Sequence, residues 1–236
     1  PAADLLLATL HDAGVDTAAV RRSGPATGTA LVMVQESGEN SIVVDAAAND
    51  DVRIDGTARA AVEGARVLLA QLEVPIAVVA EGAAAARDAG TTVVLNAAPA
   101  RDLPDSLLAL VDVLVVNESE ALSLSGAPDV VASLPALADR VPAVVVTLGA
   151  AGARWTSAAG DGAAPGLAVS VVDTTGAGDC FCGVLAATLA AGSSLGEAVR
   201  VGIAAASLSV ERAGAAVSMP SRAEIAARLR PGDSGR

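Results

Sequence analysis

Asp179 closes the string Asp173-Thr174-Thr175-Gly176-Ala177-Gly178-Asp179, and its neighbours decide what a carboxylate can do there. Gly176 and Gly178 allow the backbone to turn sharply and to approach a phosphate closely. Where a strand breaks into such a turn and restarts as a helix, the first N–H groups of the helix lack partners and point where an anion can sit. A carboxylate beside that cradle is a poor anion binder, because like charges repel, but it is well placed as a base. A base that takes the proton of an attacking hydroxyl, next to donors that neutralise a transferring phosphoryl group, is what phosphoryl transfer requires. A plain glycine turn with an N-cap aspartate satisfies the bare Gly-x-Gly-Asp equally well, since short glycine motifs recur by chance.

The flanking elements have to deliver that geometry. Residues 167–172 alternate and read as a strand, and the small-residue run 184–191 reads as a helix. Upstream, the apolar runs 66–72, 92–96, 112–116 and 142–147 suit buried parallel strands. Helical patterns separate them, one alanine-rich, with Pro75 in its first turn and its end at Asp88. Residues 195–211 form a helix with Val199, Ile203 and Ala206 on one face, and 221–230 a capped final helix before a frayed tail, 231–236. Near the start, 3–11 has helical periodicity, and 29–35 and 41–45 are strands joined through 36–40 as a hairpin. Strands alternating with helices predict an α/β fold: a mainly parallel sheet flanked by helices on both faces, with a small β lid over about 28–46, all in one domain over 1–230.

Polar residues punctuate the strand ends. Glu73 follows the first buried run, at the edge where open α/β sheets bind ligands, although a surface glutamate at a strand end is common. Asn117 and Glu120 have the spacing of a capping box.

Composition removes several function classes. A 53% hydrophobic chain of 236 residues is globular and builds a large core. Only 1% is aromatic and the net charge is -12, which argues against stacking on single-stranded bases and against a basic duplex-binding face, so no nucleic-acid partner is expected. All 15 basic residues are Arg, which excludes a lysine Schiff base and a Gly-Lys-Ser/Thr phosphate loop. His11 is the single histidine, so His triads and multi-His metal sites are absent. Cys180 and Cys182 read as small packing residues in a reduced, cytoplasmic protein. No run resembles a signal sequence or a bilayer span, so no membrane partner is expected.

The full string from Asp173 through Phe181 resembles the C-terminal signature of the ribokinase-like (PfkB) family of carbohydrate and nucleoside kinases. The resemblance implies an ATP-dependent sugar kinase with Asp179 as the base and Gly176, Ala177 and Gly178 as the anion hole, most like the members that phosphorylate D-ribose at its 5-hydroxyl. It implies that Glu73, in Gln71-Leu72-Glu73, hydrogen-bonds the sugar. Asn117 and Glu120 match the family's Asn-x-x-Glu pair, which handles Mg²⁺ and phosphate through waters; Mg²⁺ keeps several waters and takes few carboxylates, which suits one glutamate. Thr147, Leu148, Gly149, Ala150, Ala151 and Gly152 match its Thr-Leu-Gly-x-x-Gly loop beside the nucleotide, and Gly178 and Ile203 complete the implied ATP site. Asp173 and Thr175, with Ser209, Arg212, Gly214 and Ser218, resemble its K⁺ site, where the cation orders the anion hole without entering the chemistry.

The departures matter as well. Ala97 stands where the family pattern has proline. Ile203 replaces the Asn or His that contacts adenine in many relatives, which implies a more apolar and less selective base pocket. The family's first strand, with a sugar-gripping Asp, and its Gly-Gly turn find no match before Thr29, so the chain, which begins at Pro1, reads as N-terminally incomplete. A homodimer through the lid strands is implied too. The alternatives are a related kinase for another sugar or a nucleoside, or a non-catalytic member that binds nucleotide or sugar.

Overall fold

The computed structural model describes residues 2–22, 24, 26–34 and 40–230. Two sheets organise them. The smaller pairs β1 (Thr29–Val34) antiparallel with β2 (Asn40–Asp45), Leu31 opposite Val43. In the larger, six strands lie side by side in chain order: β3 (Val67–Ala70), β4 (Thr92–Asn96), β5 (Val113–Asn117), β6 (Ala143–Thr147), β7 (Ala153–Ser157) and β8 (Gly162–Ala164). β3 to β6 are parallel, and β7 and β8 return antiparallel.

The period of two along these strands sorts side chains into two cores. On one face, Val93, Leu95, Leu114, Val116, Val144 and Val146 meet helices α3 (Ile76–Ala89), α4 (Asp105–Leu108), α5 (Glu118–Ser125) and α6 (Val130–Ala138). α2 (Gly56–Gly64) adds Val62 to this layer, and α1 (Ala2–Asp12) buries no side chain. On the other face, Val94, Val113, Val115, Val145 and Trp155 meet Phe181, Cys182 and Leu185 of α7 (Ala177–Ala190) and Val199 and Ile203 of α8 (Leu195–Ser209). A third cluster joins Cys180, Ala204, Leu208 and Ile225, the last from α9 (Arg222–Arg228). Each fully buried Leu or Val contributes roughly 1.5–3 kcal/mol, so a core with few aromatic rings is filled by number rather than by size.

The mainly parallel sheet, the helices on both faces and the small antiparallel lid match the predicted architecture. The strand predicted over 167–172 does not form. Val171 and Val172 are 61% and 63% exposed, and among the described residues this segment's backbone is tied only where the N–H groups of Val172 and Asp173 both donate to the Val210 carbonyl. Alternation marks a segment that suits a ladder, but a ladder needs a neighbour. β3 also ends earlier than its apolar run, because the Leu72 N–H turns to the Ala98 carbonyl at 2.9 Å. α7 starts as early as Ala177, which puts Asp179 in its first turn. Part of the predicted 36–40 turn and the 231–236 tail lie outside the described residues.

Cys180 and Cys182 are free and buried. Burial pushes the Cys182 thiol up to about 12, so it packs as an inert group. Among the described residues no single helix is long and apolar enough to cross a membrane.

Candidate active site

The carboxyl ends of β3, β4, β5 and β6 carry Gln71 and Glu73, Asn96, Asn117 and Thr147, and the turn before α7 meets this edge. The joint is a hydrogen bond of 2.7 Å from Gln71 Nε2 to Asp179 Oδ1. Asp179 is exposed, and its Oδ2 has no partner among the described residues.

The turn itself depends on Gly176, the N-cap of α7, at φ 74° and ψ 4°. That left-handed conformation is open to glycine at little cost. Cys180 N–H donates the first helical bond, to the Gly176 carbonyl at 2.8 Å, and Ala177 N–H turns back to the Thr174 carbonyl at 3.2 Å. The N–H groups of Gly178 and Asp179 have no acceptor among the described residues, and a Cβ on Gly178 would meet open space. Among the described residues the N–H of Gly176 has no acceptor either, so the unpartnered donors of the turn are those of Gly176, Gly178 and Asp179, while that of Ala177 is engaged. The Asp179 N–H is not among the donors that the resemblance implies; its signal is its position among the first N–H groups of the helix. The helix dipole adds partial positive charge at the same point.

Behind the turn, Asp173 Oδ1 accepts the Thr175 N–H at 2.9 Å and its hydroxyl at 2.6 Å, and Oδ2 accepts the Gly214 N–H at 2.8 Å. The Thr175 donors first, then Gly214, hold the Asp173 carboxyl down at about 2. Ser209 and Ser218 are buried with hydroxyls donated to the Ala206 and Ala215 carbonyls, and Arg212 is ion-paired to Glu224. Oδ2 accepts only one of these bonds and keeps a lone pair, so a cation here could be shared between the Asp173 carboxylate and backbone carbonyls.

Asn117 caps α5 in a capping box: its Oδ1 accepts the Glu120 N–H at 2.9 Å, and Glu120 Oε2 accepts the Asn117 N–H at 2.8 Å. Glu120 is buried, and that burial pushes its carboxyl up despite the Asn117 bonds. No group of three or more His, Cys, Asp or Glu side chains suited to a metal occurs among the described residues. One carboxylate and one amide suit an ion that keeps most of its waters.

The loop after β6 is a short 3-10 turn, Gly149–Ala151. Leu148 N–H reaches the Gly152 carbonyl at 2.8 Å. Gly152 is required at φ 100°, where a Cβ would fall 2.1 Å from the Ala164 carbonyl oxygen. The strand register sets Thr147 beside Asn117, so this loop and the α5 cap are neighbours. Ile203 lies in the core formed with Trp155 and Phe181 and is 8% exposed.

A cavity of about 330 Å³ opens beside β3, lined by Gln71, Glu73 and Asn49 among aliphatic residues that include Val52, Ile54 and Leu69. Most of that wall does not suit a polyol, and its polar residues are the part relevant to a sugar. The structure thus brings Glu73, Gln71 and Asp179 to one edge.

Over residues 1–222 the chain matches the family described as pfkB family carbohydrate kinase. It is 37% identical over 220 residues to a ribokinase of Haemophilus influenzae, covering 89% of this chain and 72% of that protein. With a Staphylococcus aureus ribokinase the identity is 34% over 235 residues, covering 94% and 77%. The solved structure of Arabidopsis thaliana ribokinase complexed with ribose and ATP superimposes with a TM-score of 0.86 at 33% identity, covering 93% of this chain and 74% of that one.

Proposed function

This chain belongs to the pfkB family of carbohydrate kinases, and from that premise we propose that it phosphorylates D-ribose at its 5-hydroxyl with ATP, giving ribose 5-phosphate and ADP. The observation that carries the reading is Asp179, with one carboxylate oxygen unpartnered, beside the unpartnered N–H groups at the start of α7. The ribose and ATP of the Arabidopsis thaliana complex support the choice of substrates.

In this reading Asp179 Oδ2 takes the hydroxyl proton as the sugar oxygen attacks the γ-phosphorus; the bond to the β,γ-bridging oxygen breaks and ADP leaves. The N–H groups of Gly178 and Asp179 stabilise the charge that gathers on the transferring phosphoryl oxygens. Glu73 orients the sugar, and the 147–152 loop with Asn117 holds the nucleotide phosphates. Mg²⁺ would neutralise phosphate charge, held through waters by Asn117 and Glu120. K⁺ would take carbonyls of the 209–218 loop, behind the turn that Asp173 braces. A cytoplasmic location belongs to the same reading, since ATP is supplied there.

A homodimer is also part of it. A two-stranded hairpin is marginal alone, and the lid presents Leu31 and Val43 on one face and Val44 on the other, 64%, 55% and 68% exposed. One apolar face can close over substrate and the other against a second copy.

The test is ADP release on mixing the protein with ribose and ATP. Turnover is expected, and Asp179→Asn should lower it by about 10²–10⁴-fold with ATP binding retained. A wild-type protein that binds both ligands without turnover refutes the assignment.

A further inference from the structure

We infer that Gln71 is a positioning residue for the base: its amide fixes Asp179 Oδ1 so that Oδ2 faces the hydroxyl to be phosphorylated. The inference rests on the kinase reading and adds to it a residue with no proton to exchange. The bond from Nε2 to Oδ1 is 2.7 Å, short for an amide donor, as expected when the acceptor is charged. An amide oxygen turned to a carboxylate would set two acceptors face to face, so the chemistry itself assigns the nitrogen to this side.

The backbone that carries Gln71 is held on both sides. Ala70 ends β3 in register with Leu95 of β4, and Leu72 is fully buried with its N–H on the Ala98 carbonyl. Asp179, by contrast, is exposed in the first turn of a helix, where a short acidic side chain without a partner samples several rotamers. The bond couples that mobile carboxylate to the rigid end of a sheet strand. Gln71 also lines the cavity that Glu73 lines, so the same side chain bridges the sugar-facing wall and the base. An error of about 1 Å in the placement of a reacting group costs on the order of 10²-fold in rate, which sets the scale of what this bond controls.

The experiment measures steady-state phosphorylation by the full-length protein for wild type, Gln71→Met, Asp179→Asn and the double variant. Gln71→Met keeps length and volume but has no donor. It should lower kcat by about 10- to 100-fold while KM for ATP stays unchanged. In the Asp179→Asn background the same change should lower the residual rate no further, because the group it orients is gone. A packing role alone would cost the same in both backgrounds, so additive losses overturn the inference. So does a Gln71→Met enzyme with kcat within about twofold of wild type. If wild type itself turns over no sugar, the kinase reading falls and takes this one with it; an active wild type with an indifferent Gln71→Met refutes this inference alone.

Discussion

Asp173 and Gly214 are joined by a hydrogen bond of 2.8 Å across 41 residues of sequence, from the Gly214 N–H to Oδ2, while Oδ1 holds Thr175. One carboxylate thereby locks the turn that builds the candidate anion hole to the loop that follows α8.

That lock sets an acid limit on stability. The Asp173 carboxyl is held at about 2 by Thr175 and Gly214, and Glu224 is held at about 2 by the Ser221 N–H, with Arg212 and the Ser221 hydroxyl adding to it. Both are depressed, so the stability they contribute is complete above the ordinary values of 3.8 and 4.5 and is lost as pH falls toward about 2. Asp173→Asn leaves one acceptor and turns an amide N–H toward a backbone N–H. Urea unfolding should show a lower midpoint near neutrality and a shallower decline through that acid window. An unchanged slope would remove Asp173 from the account.

Gly176→Ala should damage the turn. An alanine at φ 74° is strained by roughly 1–2 kcal/mol, and its Cβ would lie 3.3 Å from the Ala215 Cβ, so the 215 loop must also give way. Thermal unfolding should occur at lower temperature, and kcat should fall more than KM for the sugar, since the donors at the α7 N-terminus shift. Wild-type kcat in this variant would show that those donors are not used.

Glu120 poses a sign test. Its carboxyl is pushed up by burial, so the ionised form is the penalised one and the penalty grows as pH rises through the raised value. Glu120→Gln keeps an acceptor for the Asn117 N–H and removes the buried charge. Its thermal midpoint near neutrality should equal or exceed that of wild type, while the Mg²⁺ concentration for half-maximal rate should rise severalfold. An unaltered Mg²⁺ requirement would leave the pair a helix cap only.

The lid has its own measurement. Leu31→Glu places a charge on an apolar lid face, opposite Val43. Sedimentation should report a dimer for wild type, and a smaller species for the variant where the Leu31 and Val43 face is the one that meets the second copy. A wild-type monomer at micromolar concentration contradicts the proposed pairing.

Much of this protein is legible in its sequence. The continuous apolar runs 92–96, 112–116 and 142–147 specify strands buried on both sides, because a period of two sends successive side chains to opposite cores, and Gly176 beside Asp179 specifies the turn into α7, because the order of residues builds it. Asn117 and Glu120 cap α5 as their spacing predicts, since that bond closes within one helical turn.

Tertiary structure decided what spans the chain. The alternation at 167–172 yields no strand, because a ladder requires a neighbour that the segment cannot specify for itself. Ile203 falls in the core, since helix periodicity sets a face but not what covers it. The contact of Gln71 with Asp179 joins residues 108 positions apart, and the Asp173 lock closes a shorter but still distant gap. Local residue order governs local geometry, whereas a hydrogen bond between remote side chains exists only once sheet and helices have packed and brought both ends to one edge.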